Sequence, residues 1–460
     1  MVFHTLRDSM GQPSPQINPK IKSPSMMASV WSIAGPSIGV FLMATIAGVL
    51  IIKIVSGLGT PAVAAVTAGQ RINFVLVAML MGLGAATTAL VSRAWGAKNP
   101  ELATAYARLG LVSGIIIALI IAAFSAFFAP EISHFFKLDD VSAPLAVSYI
   151  RWMSLFAVSQ SILMVLSTAC RSIGDAKTPL YLGLFGHSSS VFLAWALTYG
   201  KLGLPAMGIQ GAAIGWGVAF SLCAFAYLAL WMNNRLQLGF SLSAQAPKAD
   251  LSRFIRVCMP ATIEQFMMQA AMLVFVWFVA RHGTEAFAAY GIGISLLSVT
   301  IVIGMGFSIA AASLVGQSLG AGDREGAIES GYSALRLALV TMTILGALTS
   351  FFSTELARLL VDDPEVVRLT ALFVLILGLA QPILAIDLVL GGAMRGAGDT
   401  RFPLFAGLIS AVFIRLTLAG IATWLELPVQ WIYSVFMADQ LVKSTIIVWR
   451  YRGLRWLRAL

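Results

Sequence analysis

The stretch Cys258-Met259-Pro260-Ala261-Thr262-Ile263-Glu264-Gln265-Phe266 places a carboxylate inside a long apolar segment that runs from about residue 254 to residue 280. Helical residues rise about 1.5 Å each, so Glu264 would lie about 12 Å beyond Arg256, the last basic residue before it. That depth is inside the roughly 30 Å hydrocarbon core of a bilayer, where an acid costs about 3 kcal/mol by insertion scales. Such an acid is typical of a cavity, a partner charge or an ion path, and a purely structural, hydrogen-bonded acid is the alternative.

The composition of the whole chain agrees with a membrane environment for this stretch. Of 460 residues, 59% are hydrophobic and only 11% are charged, which is too few to cover soluble domains of this size. The net charge of +10 does not indicate nucleic-acid binding, because the basic residues lie between apolar runs and at the C-terminus. The sequence therefore predicts an all-α polytopic membrane protein.

Apolar runs bounded by Gly, Pro and charged residues predict about twelve transmembrane helices. Their predicted spans are 28–52, 62–92, 104–129, 142–170, 178–199, 209–232, 254–280, 287–318, 327–352, 366–394, 402–424 and 429–449. Spans of about thirty residues should tilt, kink or protrude from the bilayer. The predicted organisation is a cytoplasmic tail 1–27, a six-helix lobe 28–235, a cytoplasmic linker 236–253, a second six-helix lobe 254–450 and a basic cytoplasmic tail 451–460.

The distribution of Lys and Arg predicts the orientation of these helices. If the N-terminus is inside, twenty basic residues lie in inner segments and seven in outer segments, so both termini should be cytoplasmic. The inner residues are Arg7, Lys20, Lys22, Arg93, Lys98, Arg108, Arg171, Lys177, Arg235, Lys248, Arg253, Arg256, Arg324, Arg336, Arg395, Arg401, Arg450, Arg452, Arg455 and Arg458; the outer ones are Lys53, Lys137, Arg151, Lys201, Arg281, Arg358 and Arg368.

The two halves of the chain resemble each other when one is slid along the other by a single constant offset, which we call the repeat shift. The repeat shift superposes Pro36 on Pro260, Thr60 on Thr284, Gly96-Ala97 on Gly320-Ala321, Arg171 on Arg395, Gly174-Asp175 on Gly398-Asp399 and Pro179 on Pro403. Because each half has six predicted helices, an even number, both halves should cross the membrane in the same orientation. We therefore expect a pseudo-two-fold axis along the membrane normal, as in transporters that hold cargo between two rocking lobes.

Two loops recur in both halves, and their residues predict structural turns. Gly174 and Gly398 allow the chain to leave a helix in a conformation unfavourable for other residues, while Pro179 and Pro403 open the next helix. The loops are predicted to be hinges and anchors formed by Arg171, Gly174, Asp175, Pro179, Arg395, Gly398, Asp399 and Pro403, with Arg395 pairing with Asp399 across the turn. A phosphate-binding glycine loop is excluded because no strand precedes either loop and no GxxxxGK motif occurs.

The chain resembles bacterial members of the multidrug and toxic compound extrusion (MATE) family in four motifs. These are RGAGDTRFP at 395–403, VGQSLGAGDRE at 315–325, PATIEQ at 260–265 and TEAFAAYGI at 284–292. The resemblance covers about residues 28–455. It implies an antiporter of two six-helix lobes that is driven by inward flow of H⁺ or Na⁺ and exports bulky, often cationic, organic molecules.

One feature of the family is missing. Archaeal and related members place a functionally important aspartate in the first helix, and the corresponding position here is Ile51 or a neighbour. An ion switch in the first half is therefore not expected. The glutamate that other branches use in the seventh helix is present as Glu264.

The candidate ion and cargo residues are concentrated in the second half. Asp387 lies eight residues before Arg395, as Glu264 lies eight after Arg256, so both carboxylates are predicted at one depth. If they share a poorly solvated site, one should stay protonated or both should recruit a cation. Asp439 is a third candidate, although an i, i+4 pair with Lys443 on one helix is favoured for it. The predicted ion and substrate residues are Glu264, Gln265, Asp387, Arg415 and Asp439, with Arg415 pairing with Asp439 or Asp387.

These observations predict a secondary multidrug antiporter of the bacterial plasma membrane. The alternatives are a major-facilitator-like carrier, whose basic loop after the second helix is absent here, and a lipid-linked precursor flippase. A membrane transferase is disfavoured because no His, Asp or Glu constellation is visible at an interface. The predicted partners are the lipid bilayer and small organic cations or drugs, with no cofactor, no metal, no nucleic acid and no obligate protein partner, so that the protein would act as a monomer.

Overall fold

The computed structural model describes residues 25–136, 138–241 and 247–459 of the chain. In these ranges the ordered elements are all helices. The predicted tail, linker and C-terminus extend into residues 1–24, 242–246 and 460, which lie outside the described residues.

Helices of the two halves follow one another in the same order. The first half contains α1 (Met26–Ser56), α2 (Thr60–Gly96), α3 (Pro100–Phe127), α4 (Ala129–Phe135), α5 (Ser142–Leu155), α6 (Ala157–Ser172), α7 (Lys177–Tyr199) and α8 (Ile209–Met232). The second half contains α9 (Lys248–Ala280), α10 (Thr284–Gly320), α11 (Arg324–Phe351), α12 (Ser353–Arg358), α13 (Pro364–Leu379), α14 (Gln381–Gly396), α15 (Arg401–Leu408), a π-helical segment (Ile409–Leu416), α16 (Thr417–Trp424), α17 (Val429–Arg452) and a 3₁₀ helix (Arg455–Arg458).

The repeat shift relates local details of the two halves. Helices α5 and α6 meet at Phe156 with a bend of 47°, and α13 and α14 meet at Ala380 with a bend of 50°. The side chains of Asn99 and Asp323 accept hydrogen bonds from the first turns of α3 and α11, which satisfies backbone donors that have no partner within the helix. The two halves therefore have equivalent bends and helix caps, as expected of a structural repeat.

The long helices can cross a bilayer. Among the described residues nine are long and apolar enough to do so, with Arg401–Trp424 counted as one helix, and the two bent pairs bring the number to eleven. Helix α17 completes the set by position, but it carries Asp439 and Lys443 in its middle and is less apolar than these spans. The predicted all-α membrane fold with two six-span lobes is confirmed.

Both described ends of the chain lie on the same side of the bundle. The hydroxyl of Ser330, near the start of α11, contacts the Met26 sulfur at 3.4 Å, and the Tyr451 hydroxyl lies 3.4 Å from the Ile328 carbonyl oxygen. We refer to this side as the terminal side. The described part of the predicted tail 451–460 packs back here, because Trp456 is fully buried and stacks on the Tyr451 ring with centroids 4.6 Å apart.

Candidate functional site

Glu264 is buried in the middle of α9 and is held by an arginine from another helix. Its side chain is part of a residue only 2% exposed. Arg395, in the last turn of α14, donates from Nη2 to Oε1 at 2.8 Å and from Nε to Oε2 at 3.3 Å. A forked guanidinium–carboxylate pair of this kind is among the strongest and most directional contacts in proteins. Gln265 follows Glu264 on α9 and is half-buried.

Asp387 is bound by a lysine that the sequence assigned to a different partner. Lys443 of α17 lies 3.0 Å from Asp387, measured from Nζ to Oδ2, and both residues are buried. The second carboxylate oxygen, Oδ1, has no hydrogen-bond partner in the part of the chain that the structure describes. The Asp387–Lys443 pair therefore retains one free acceptor atom inside the bundle.

The two ion pairs form one group, which we call the charge cluster: Glu264, Asp387, Arg395 and Lys443. Arg395 interacts electrostatically with Asp387 as well as with Glu264, and Lys443 interacts with Glu264. A methyl group added to Gly407 of α15 would lie 3.9 Å from both the Glu264 Cγ and the Lys443 Cε atoms, so this glycine leaves the space that they share. Each acid lies beside one base and interacts with the other, and the cluster is electrically neutral when all four groups are charged.

The predicted pairing of Asp439 with Lys443 on one helix is wrong. Asp439 instead accepts hydrogen bonds from Arg415 Nε, at 3.0 Å, and from Arg415 Nη2. Both residues are almost completely buried, and the Arg415 guanidinium also lies 4.9 Å from the Phe436 ring centroid. Spacing of i, i+4 allows a contact along one helix, but each side chain here points toward a neighbouring helix that offers an opposite charge. The expected pairing of Arg415 with Asp439 is present.

The predicted contact between Arg395 and Asp399 across the turn is also wrong. Asp399 binds Arg450 of α17, with Arg450 Nη2 at 2.7 Å and Nε at 2.9 Å from Oδ2, while Arg395 turns inward to Glu264. The turns themselves have the backbone that glycine permits, with φ of +98° at Gly174 and +89° at Gly398. The last turn of α14 therefore contributes Arg395 to the charge cluster, and the turn that follows it contributes Asp399, which anchors α17 through Arg450.

Replacing Asp399 with asparagine should lower the folded yield or the transport rate more than it changes cargo affinity. The change removes the charge that ties this turn to Arg450, a contact worth about 1.5–3 kcal/mol for hydrogen bonds to charged groups. The matched control is Asp175→Asn, since Asp175 caps the Thr178 amide at 3.0 Å in the equivalent first-half turn. Size-exclusion chromatography measures the folded yield, and efflux at several cargo concentrations separates the transport rate from the cargo affinity. An effect confined to cargo affinity would contradict the anchoring role.

The described residues of the first half contain no equivalent of the charge cluster. The repeat shift places Val40 opposite Glu264 and Leu163 opposite Asp387, so both acids are replaced by apolar residues. Arg171, the counterpart of Arg395, is buried and donates to the Ser167 hydroxyl at 2.6 Å. The two halves share a fold and differ in charge.

A cavity of about 280 Å³ lies in the first half. Ile51, at or next to the position expected for the first-helix acid of the resembled family, is part of its wall. The other lining residues are Ala44, Ala47, Gly48, Gln70, Asn73, Phe74, Val77, Tyr149, Met153, His187, Ser190 and Trp216. These residues combine apolar, aromatic and amide side chains with the imidazole of His187 and the hydroxyl of Ser190, and they include no carboxylate.

The comparisons with known proteins agree with the fold and with the duplication. The MatE family model matches residues 36–196 and 260–421, two stretches whose first residues, Pro36 and Pro260, are superposed by the repeat shift. The chain belongs to the MatE family. It is 26% identical to the "Probable multidrug resistance protein NorM" of Thermotoga maritima over 95% of both chains, and 25% identical to the "FAD transporter" of Shewanella oneidensis over 81% of this chain and 82% of that one. A mutant of the Vibrio cholerae MATE transporter VcmN has the same fold, with a TM-score of 0.88 at 20% identity, over 94% of this chain and 97% of that one.

Membership in the MatE family shows that the protein is a multi-pass membrane transporter and not an enzyme, as the sequence predicts. Within this MatE chain, sequence reasoning found both acids of the charge cluster but missed both bases. The sequence did contain a signal that Arg395 lies near the acids. Residues eight apart on a helix differ by only about 80° around its axis, so Arg395 and Asp387 lie on roughly the same side of their helix. The three acids that the sequence singled out in the second half, Glu264, Asp387 and Asp439, each pair with one base, Arg395, Lys443 and Arg415 respectively.

Proposed function

We propose that this protein is a secondary antiporter that exports organic compounds, often cationic and of varied structure, in exchange for inward H⁺ or Na⁺ by alternating access. The observation that carries the proposal is the charge cluster, in which Glu264 and Asp387 are buried inside membrane-spanning helices of a two-lobed transporter. Such acids are expensive in a bilayer and are typical of substrate pathways, ion pathways and proton relays.

The arrangement of the charge cluster supplies a means of coupling. Each acid already has a cationic partner from the protein, Arg395 for Glu264 and Lys443 for Asp387. A proton or sodium ion that binds Glu264 competes with Arg395, and its arrival frees the arginine to move with α14. Ion binding would thereby favour one arrangement of the helices over the other, which is the requirement for any ligand that shifts a conformational equilibrium.

The cargo would bind between the lobes, with the uncharged cavity of the first half accommodating its apolar and aromatic part. Trp216, Phe74 and Met153 offer soft and aromatic surfaces, while Gln70 and Asn73 offer hydrogen bonds without charge. Cavities of this type bind varied organic molecules. The similarity to multidrug-resistance proteins supports a polyspecific cargo, and the similarity to an FAD transporter makes flavins a useful member of any test panel.

The orientation that we propose places the terminal side in the cytoplasm of a bacterial cell, in the inner membrane. The excess of twenty basic residues over seven supports it, since Lys and Arg collect on the cytoplasmic side. The chain would act as a monomer in the bilayer, with no cofactor besides the coupling ion.

The proposal is tested by efflux of a cationic dye, and of FAD in parallel, from vesicles under an imposed proton gradient and then under a sodium gradient. Gradient-driven efflux of the dye supports the proposal, and the gradient that drives it identifies the ion. Efflux that follows neither gradient, or that requires ATP, would contradict it.

Replacing Asp387 with asparagine should shift proton-coupled transport toward more acidic conditions without abolishing it. The change releases Lys443, which already interacts with Glu264 and would then neutralise it more strongly, so that a proton competes less well. The measurement is the pH profile of efflux, with Asp140→Asn, an exposed aspartate in the loop after α4, as the control. An unchanged profile would remove Asp387 from the ion site.

A further inference from the structure

The start of α9 is fixed to the first half of the molecule by a buried hydrogen bond. The Tyr106 hydroxyl on α3 donates to Asp250 Oδ2 at 2.8 Å, and Arg253 lies 3.3 Å from the other carboxylate oxygen. Tyr106 is 5% exposed and Asp250 is 6% exposed. Since α9 also carries Glu264, the helix of the charge cluster begins inside the opposite lobe.

Apolar residues after Asp250 extend this attachment. Phe254 and Val257 are buried in the hydrophobic core of the first half, together with Leu76 and Leu166. Further along α9, Phe275 is buried in a core of the second half. The helix therefore belongs to the first lobe at its terminal-side end and to the second lobe at its other end.

The first helix of the chain makes the symmetric exchange. Val30 and Ile33 of α1, which the repeat shift superposes on Phe254 and Val257, are buried in a core of the second half. Met26, the counterpart of Asp250, meets Ser330, the counterpart of Tyr106. The start of each helix is thus packed in the opposite lobe, and the two exchanges are related by the repeat shift. They differ in their polar contact: the start of α9 is held by a hydrogen bond to the Asp250 carboxylate, whereas the start of α1 has only the contact between Ser330 and the Met26 sulfur.

Close packing of α2 against α10 shows that the terminal side is closed. A side chain on Gly96 would collide with the backbone of Gln317, and one on Gly320 would collide with the backbone of Arg93. The Gln317 side chain also donates across the two halves to the Ser172 carbonyl oxygen at 2.8 Å. Opening this side requires the two helices to separate and the exchanged helix ends to leave the opposite lobes or to bend.

We propose that the Tyr106–Asp250 hydrogen bond is a latch that holds the terminal side closed and must release before that side opens. The inference rests on the alternating access proposed above, but it does not depend on the identity of the ion or the cargo. Asp250 is buried and charged, so the closed state retains a hydrogen bond to a carboxylate that the open state loses. A bond of this class changes an equilibrium roughly tenfold or more.

The test measures opening directly through a cysteine at the crossing of α2 and α10. Ser92 is fully buried there and faces Gly316, so Ser92→Cys should react with a maleimide only when the terminal side opens. The protein is purified with Cys170, Cys223 and Cys258 replaced by alanine, and the alkylation rate is measured in nanodiscs without cargo or an imposed gradient.

We expect Tyr106→Phe to raise the alkylation rate roughly tenfold, because it removes the donor and little else. The matched control is Ser330→Ala, the equivalent change on the α1 side, which should alter the rate by less than about twofold. If Tyr106→Phe does not fold, Asp250→Asn carries the same test and should raise the rate in the same direction.

Two results would overturn the latch. One is an unchanged alkylation rate in folded Tyr106→Phe, or in Asp250→Asn if that variant replaces it; the other is an alkylation rate that rises equally in Ser330→Ala. Failure of the proposed function has a different signature, since wild-type protein would then show no gradient-driven efflux whatever the alkylation rates are.

Discussion

Glu264→Gln should abolish gradient-driven efflux while the protein still inserts and folds. Glutamine keeps the shape of the side chain but can neither release a proton nor bind a cation as a carboxylate does. Ligand-coupling free energies of about 1–3 kcal/mol correspond to about 5- to 150-fold effects, so we expect a loss toward the upper end of that range. Folding should survive because Arg395, left without its glutamate, is within electrostatic reach of Asp387.

The measurement is dye efflux from vesicles that contain equal amounts of wild-type and variant protein. Glu355→Gln, a change of the same type at an exposed residue of α12, is the control and should leave efflux unchanged. Wild-type efflux by well-expressed Glu264→Gln would remove this residue from the coupling mechanism and return it to the structural alternative.

Arg415→Met should destabilise the protein by about 3–5 kcal/mol, because it leaves the Asp439 carboxylate buried without its cation. Asp439 is 0% exposed and already has one oxygen without a partner among the described residues. The double variant Arg415→Met with Asp439→Leu removes both charges and should recover most of the loss, since apolar replacements of buried pairs are often neutral or stabilising.

These stabilities are measured by thermal unfolding in detergent, with size-exclusion chromatography as the readout of the protein that remains folded. The control is Arg368→Met, which breaks an exposed pair with Glu365 and should cost at most about 1 kcal/mol. A double variant as unstable as the sum of its single changes would show that the two charges act independently, and the interpretation as one buried pair would then fail.

Helix existence, the duplication and the acids were predictable from the sequence because each rests on a local or periodic signal. The span predicted at 209–232 coincides with α8, and the predicted break before residue 395 lies at the end of α14. Hydropathy determines such features one helix at a time. Glu264 and Asp387 were conspicuous because few acids occur in segments of this kind.

The pairing of charges was not predictable, because it depends on how each helix is rotated against its neighbours. Two bends and one π-helical segment alter that rotation. The 50° bend at Ala380 re-aims the half of its span that carries Asp387 and Arg395. The wider turn at Ile409–Leu416 contains Arg415 and displaces it relative to a regular helix. Sequence spacing cannot specify these shifts, so the two pairings predicted between residues close in sequence, Asp439 with Lys443 and Arg395 with Asp399, were wrong.

The polar middle of α17 has a consequence for biosynthesis. Asp439 and Lys443 make this span a poor substrate for insertion by itself, and their partners Arg415 and Asp387 lie on helices that are synthesised earlier. The last span must therefore enter the bilayer against helices that are already in place, so its insertion is cooperative with theirs. A substitution at Arg415 would then act already while the chain is leaving the translocon, so that it lowers the amount of inserted protein as well as the stability of the protein that does insert.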